Sequence, residues 1–148
     1  MKILIRLTLL SLLIATCVSA TWADERGKHP YYLHALSDLR DARAHLEFLS
    51  PSERRDMEEE HAIREIDMAL REIHQAAIDD GKPVGEHMPI DAHLKRTDRF
   101  HKALELLDGA RKDVRREEDD PRARGLRDRA LLHIDEAHHI IERIIHNY

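Results

Sequence analysis

The chain has 148 residues, a single cysteine and a charged fraction of 36%, with a formal net charge of −5. This acidic balance argues against a nucleic-acid partner, which needs a basic surface. The length fits one domain, and no Gly- or Ser-rich linker divides the sequence.

The first 23 residues have the pattern of a secretory signal peptide. Lys2 and Arg6 supply a positive start, residues 7–18 form a short apolar core, and small residues at 18–20 or 21–23 offer a cleavage site. The apolar core is too short to span a membrane. We therefore predict a periplasmic or secreted protein without a membrane span.

Cleavage after Ala23 would leave residues 24–148 as one domain. Loss of Lys2 and Arg6 would change the net charge from −5 to −7. Cys17 lies within the signal, and Thr16 before it fits a lipoprotein processing site poorly. The mature chain would then contain no disulfide, no thiolate metal site and no cysteine nucleophile.

Apolar residues at alternating steps of three and four predict four helices, and no stretch alternates with the period of two that favours a strand. Pro30 suits a first helical turn, and Ser50 or Ser52 can cap the second helix. Gly81 is placed to end that helix, and Pro121 to begin the fourth. We expect helices near residues 31–49, 53–80, 97–118 and 122–147.

The first two helices resemble the last two when the sequence is compared with itself at a shift of 68 residues. Matches without a gap pair Ala35, Leu36, Leu39, Ala42 and Arg43 with Ala103, Leu104, Leu107, Ala110 and Arg111, and Ala62, Ile66, Asp67, Ala69 and Ile73 with Ala130, Ile134, Asp135, Ala137 and Ile141. Two helices rich in Ala and Leu can also coincide by composition alone. We predict an all-α, antiparallel up-down-up-down four-helix bundle built from two similar helical hairpins.

Twelve histidines are an unusual number for this length. In an up-down-up-down bundle, helices 1 and 3 begin at the end where helices 2 and 4 finish. We therefore expect most histidines at one pole, with His45, His61 and His133 toward the other. The start of helix 1 and the end of helix 4 should be neighbours there.

The last predicted helix combines a narrow apolar line with the densest histidine cluster. Asp135, His139, Glu142 and His146 recur at steps of four and three on the side opposite the apolar line, and His138 flanks that line. Such residues are also common as a solvated helix face or as a half-buried histidine with a local partner. The expected Cu(II), Ni(II) or Zn(II) ligands are His29, His34, Asp135, His138, His139, Glu142 and His146.

The same helix carries a resemblance to a known family, through the segment His133-Ile134-Asp135-Glu136-Ala137 followed by His138-His139 and Glu142. These residues resemble the repeated His-Val-Asp-Glu-Ala-type heptads of the small His-rich periplasmic metal-binding proteins. The resemblance covers about fifteen residues, and only His139 to His146 keeps the seven-residue histidine interval. It implies a helical bundle that binds divalent ions, copper among them.

Two classes of function agree with these features. The first is a periplasmic or secreted protein that binds or buffers divalent transition metals, and the alternative is an envelope interaction or stress-adaptor bundle without bound metal. In the alternative, partners are other envelope proteins or further copies of the chain, and the histidines serve solubility or pH sensing. No covalent haem motif, nucleophile elbow, phosphate loop or zinc protease motif occurs, so we expect no enzyme.

Overall fold

A computed structural model of the protein describes residues 30–77, 87–116 and 123–148. The predicted signal and the predicted roles of His29, Gly81 and Pro121 lie outside these residues. The described residues form four helices, α1 (Pro30–Glu47), α2 (Met57–Ala77), α3 (Arg96–Arg116) and α4 (Arg124–His146), and contain no strand. The prediction of an all-helical, four-helix bundle is confirmed.

Asp56 determines where α2 begins. Its Oδ1 accepts a 2.8 Å hydrogen bond from the backbone N–H of Glu59, as an N-cap residue does. The expected caps, Ser50 and Ser52, instead lie in the preceding turn, where the side chain of Glu53 accepts a 2.8 Å hydrogen bond from the Ser50 N–H. The prediction of a serine cap is therefore wrong, because this turn occupies residues that could have formed the first turn of α2.

The core consists of the predicted apolar lines, and its larger residues alternate with alanines. Tyr32 and Phe100, which are 68 residues apart, are both buried near the starts of α1 and α3. The remaining buried residues of the four lines include Ala35, Leu39, Ala42, Leu46, Ala62, Ile66, Ala69, Ile73, Ala103, Leu107, Ala110, Val114, Ala130, Ile134, Ala137, Ile141 and Ile144. The small alanines let neighbouring helices pack closely.

The direction of α3 differs from the prediction. His34 near the start of α1 lies 3.8 Å from Asp113 near the end of α3, while Arg99 at the start of α3 stacks 4.9 Å from the ring of Phe48 beyond the end of α1. Helices α1 and α3 are therefore antiparallel, whereas an up-down-up-down bundle requires them to be parallel. The order of directions is up-down-down-up, so that part of the fold prediction is wrong.

The physical reason is the length of the connection between α2 and α3. Eighteen residues, 78–95, separate the two helices. An extended chain of this length reaches about 60 Å, more than the roughly 30 Å length of α3. The connection is therefore long enough to run from one end of the bundle to the other, although the sequence alone favoured a turn back.

The neighbour relations change accordingly. Helix α2 packs most extensively on α4, and α1 on α3, while the α1–α2 and α3–α4 hairpins have smaller contacts. Helices α1 and α4 are diagonal and do not pack on each other within the described residues. The prediction that the start of α1 meets the end of α4 is wrong.

The two hairpins nevertheless have equivalent contacts. Arg43 on α1 pairs with Asp67 on α2 at 2.7 Å, and Arg111 on α3 pairs with Asp135 on α4 at 3.1 Å. Both members of the second pair are displaced by 68 residues from the first, as the sequence comparison predicts. The same relation applies to stacking, since Arg99 lies over Phe48 and Arg116 lies over Tyr31.

Glu65 and His133 lie where the two hairpins meet. The Oε2 of Glu65 is 2.7 Å from the Nδ1 of His133, and these residues occupy equivalent positions 68 residues apart. Equivalent residues that touch must lie next to the axis that relates the two halves. The packing of α2 on α4 therefore follows an approximate two-fold axis at Glu65 and His133.

The buried side of α4 should dominate the stability of the bundle. We expect Ile134→Ala to lower the free energy of unfolding by about 2–5 kcal/mol, because it opens a cavity at a fully buried position. Leu132→Ala on the same helix is the matched control, since Leu132 is 68% exposed and its change should stay within about 0.5 kcal/mol. Urea denaturation followed by circular dichroism measures both, and equal effects would contradict the described orientation of α4.

Candidate metal centre

Three side chains on α4 form the candidate centre. The Nδ1 of His139 is 3.3 Å from the Oε2 of Glu142, and the Nδ1 of His138 is 3.5 Å from the same oxygen. One possible ligand atom from each residue lies within 4.8 Å of the other two, and no other such group of His, Cys, Asp and Glu occurs in the described part of the chain. The two imidazoles thus converge on one carboxylate.

The helix geometry of α4 brings these residues together. Ala137 and Ile141 are buried in the core, and this fixes the rotation of the helix about its axis. Glu142 is four residues from His138 and three from His139, so it faces both. The side chain of His138 is only 16% exposed beside the core, whereas that of His139 is 66% exposed, as the sequence predicts for a flanking and an outward position.

Small side-chain rotations would complete the coordination geometry. Bonds of about 2.0–2.2 Å to a tetrahedral ion place neighbouring ligand atoms about 3.3 Å apart. The three donors already lie within 4.8 Å of one another, so the closure required is about 1.5 Å or less. The ring of His138 is held at the edge of the core, and the exposed His139 and Glu142 are the side chains free to move toward it.

The other expected ligands on α4 are not part of this group. Asp135 pairs with Arg111 of α3 at 3.1 Å, which occupies the carboxylate. His146 is exposed one turn beyond Glu142 and lines the same shallow surface depression as His139 and Glu142. The structure therefore brings together three of the expected α4 ligands, His138, His139 and Glu142, and leaves two outside.

His34 is far from the centre. It lies beside Asp113 near the end of α3, while the last residue of the chain, Tyr148, packs on Phe100 near the start of α3 at 5.9 Å between ring centroids. Asp113 and Phe100 are thirteen residues apart on one helix, about 20 Å. The proposed union of His34 with the α4 residues is therefore wrong, because α1 runs antiparallel to α3.

The expected pole of histidines is wrong for the same reason. Because the end of α1 and the end of α4 both meet the start of α3, His45, His101 and His146 lie toward one end of the bundle. His34 lies toward the other end. The crossover connection thus divides the set that a simple up-down-up-down path would have gathered.

Asp108 of α3 is the residue near the centre that sequence reasoning missed. Its Oδ1 is 3.6 Å from the Nε2 of His138, on the side of the ring opposite Glu142. Pairs within one helix are visible as spacings of three and four, but Asp108 and His138 belong to different helices. The match of Arg43 and Asp67 with Arg111 and Asp135 was the available signal, because it fixes how α3 and α4 face each other.

Glu65 forms a second contact between histidines and a carboxylate, with a different geometry. Its Oε1 is 3.3 Å from the Nε2 of His61, and its Oε2 is 2.7 Å from the Nδ1 of His133. The two imidazoles therefore contact different oxygens of one buried carboxylate. This arrangement links α2 to α4 by hydrogen bonds and does not gather three ligand atoms around one point.

Comparison with known proteins gives no match to a family model, a curated protein or a solved structure. None of the helices in the described ranges combines the length and the apolar character needed to cross a bilayer. The candidate centre is thus supported by the chemistry and positions of its own residues.

A half-buried carboxyl lies beside His34 at the other end of the bundle. The pKa of Asp38 is raised to about 6, first by burial and then by repulsion from Asp113 and Asp41. Asp38 also approaches Gly109 of α3 closely, since a Cβ at Gly109 would lie 2.6 Å from its Oδ2. The glycine therefore makes room for this carboxyl in the α1–α3 contact.

The raised pKa of Asp38 predicts a pH dependence of stability. Between about pH 4 and 6 the folded protein holds the Asp38 proton more tightly than the unfolded chain, so the free energy of unfolding should decrease as pH rises through this window. Asp38→Asn should remove this component and gain stability relative to the parent at pH 7 compared with pH 4. Urea denaturation at both values measures it, with exposed Asp128→Asn as the control.

The opposite contribution of His45, whose pKa is lowered by burial, is present in the parent and the variant. It therefore cancels in the comparison. An Asp38→Asn variant whose stability parallels that of the parent between pH 4 and 7 would contradict the predicted role of this carboxyl.

Proposed function

We propose that this protein binds divalent transition-metal ions at His138, His139 and Glu142, and that it acts as a metal-binding or metal-buffering protein. The observation that carries the proposal is the convergence of two imidazole nitrogens on one carboxylate oxygen, at 3.3 and 3.5 Å. The resemblance of this segment to small His-rich periplasmic metal-binding proteins supports the same function. The signal-like residues 1–23 support a periplasmic or secreted location.

The donor set favours particular metals. Neutral imidazole and carboxylate suit Cu(II), Ni(II) and Zn(II), whereas Cu(I) prefers sulfur ligands. The cysteine-free region after the predicted signal offers no thiolate. The centre therefore favours the divalent ions, and the identity of the ion depends on the geometry that the moving His139 and Glu142 side chains adopt.

The position of the centre favours reversible binding. Three protein donors on the surface of one helix leave coordination positions open to water or to an incoming ligand. His139 and Glu142 are exposed, so ordering them for binding costs side-chain entropy. A site of this kind suits an ion that is taken up and released, as buffering requires.

Calorimetric titration of residues 24–148 with Cu(II), Ni(II) and Zn(II) at pH 7.5 tests the proposal. We expect saturable binding of one ion at this centre, and a loss of affinity of at least about tenfold in His138→Ala/His139→Ala. His34→Ala/His101→Ala is the matched control, because it removes two exposed histidines of α1 and α3 that lie outside the centre. The control should bind with the affinity of the parent.

The pH dependence gives a second readout. Metal ions compete with protons for imidazole, so binding should weaken at pH 5.5, below the ordinary histidine pKa of about 6.5. Undiminished affinity in His138→Ala/His139→Ala would remove this centre. The absence of saturable binding in the parent would remove the metal function and favour the interaction-module alternative.

A further inference from the structure

We propose that Asp108 of α3 is a positioning residue for the metal centre, and that it makes His138 bind the ion through Nδ1 by holding a proton on Nε2. This inference rests on the proposed function. It adds a residue from a second helix to a centre whose three ligands all come from α4.

The positions of the two carboxylates around His138 carry the argument. Glu142 Oε2 lies 3.5 Å from Nδ1, and Asp108 Oδ1 lies 3.6 Å from Nε2. The two ring nitrogens point in divergent directions, so one ion cannot bind both. The nitrogen near Glu142 is also the one on the side of the His139 ligand, whose Nδ1 is 3.3 Å from the same oxygen.

Asp108 is therefore on the wrong side of the ring to bind the same ion. A carboxylate only accepts hydrogen bonds, so Asp108 requires Nε2 to carry a proton. A proton on Nε2 leaves the lone pair of a neutral imidazole on Nδ1, facing Glu142 and His139. Histidine ligands commonly donate their other ring N–H to a carboxylate, which fixes the ring orientation and raises the basicity of the bound nitrogen.

The environment of the ring favours this role. His138 is only 16% exposed, while Asp108 is more than half exposed and can move the few tenths of an ångström that a normal hydrogen bond requires. Arg111, one turn along α3 from Asp108, is paired with Asp135. That cation is thereby engaged by another carboxylate of α4.

The first hairpin shows what the same positions do without this chemistry. At a shift of 68 residues, Asp108 corresponds to Arg40, His138 to Leu70 and Glu142 to His74. The Nη2 of Arg40 lies 3.0 Å from the Nε2 of His74, so a cation contacts the imidazole there. The combination of a histidine ligand with a carboxylate behind it occurs only in the second hairpin of the two described.

A double-mutant cycle with Zn(II) as the probe separates positioning from simple charge. We expect Asp108→Ala to weaken Zn(II) binding by roughly 10- to 100-fold, the range for lost carboxylate partners of histidine ligands. Asp108→Asn should recover part of this loss, since its amide oxygen still accepts from Nε2. Asp98→Ala, which removes another exposed acid of α3, should change the affinity less than about twofold.

The decisive comparison is made in the His138→Ala background. Asp108→Ala should have no further effect there, because the side chain that it positions is absent. An equal loss in both backgrounds would mean that Asp108 acts as a general negative charge and would overturn the proposal. No loss in the parent background would overturn it as well.

Nitrogen NMR of the zinc-bound chain supplies a readout that a merely structural role would not change. We expect His138 to be bound at Nδ1 and protonated at Nε2, and binding at Nε2 would overturn the proposal. If Zn(II) binds and depends on His138 and His139 but not on Asp108, only this inference fails. If the parent shows no saturable Zn(II) binding, both this inference and the proposed function fail.

Discussion

The antiparallel packing of α2 on α4 and of α1 on α3 is the constraint on which the other features depend. Glu65 and His133 meet at the centre of the first contact, and the alanine-rich lines of the helices allow close approach around them. This packing joins the two hairpins through their equivalent faces. It thereby sets which residues of α3 lie beside α4, including Asp108 beside His138.

The elements of the fold could be predicted from sequence because the signals for them are local. Apolar lines at three- and four-residue steps identified the four helices and most of the buried residues, such as Ile134 and Leu107. The direction of α3 could not be predicted in this way. It depends on where residues 78–95 lead the chain, and an irregular segment of that length permits either a turn or a crossover.

The candidate centre shows the same division. His138, His139 and Glu142 are close because of their spacing on one helix, which the sequence states directly. The involvement of His34 was inferred from the assumed path of the chain and failed with it. Asp135 was expected as a ligand because of its spacing, but Arg111 from α3 pairs with it. Spacing describes one helix at a time, whereas the competition for each carboxylate is decided between helices.

The long connection and the two-fold relation of the hairpins together have a consequence for assembly. Each hairpin presents to the other a surface that the hairpin of a second molecule also carries, and the link between them is long enough to cross the bundle. Two chains can therefore exchange hairpins and rebuild the same core in a domain-swapped dimer. In such a dimer α3 and α4 would still belong to one chain, so the contact of Asp108 with His138 would be preserved and each molecule would keep its own centre.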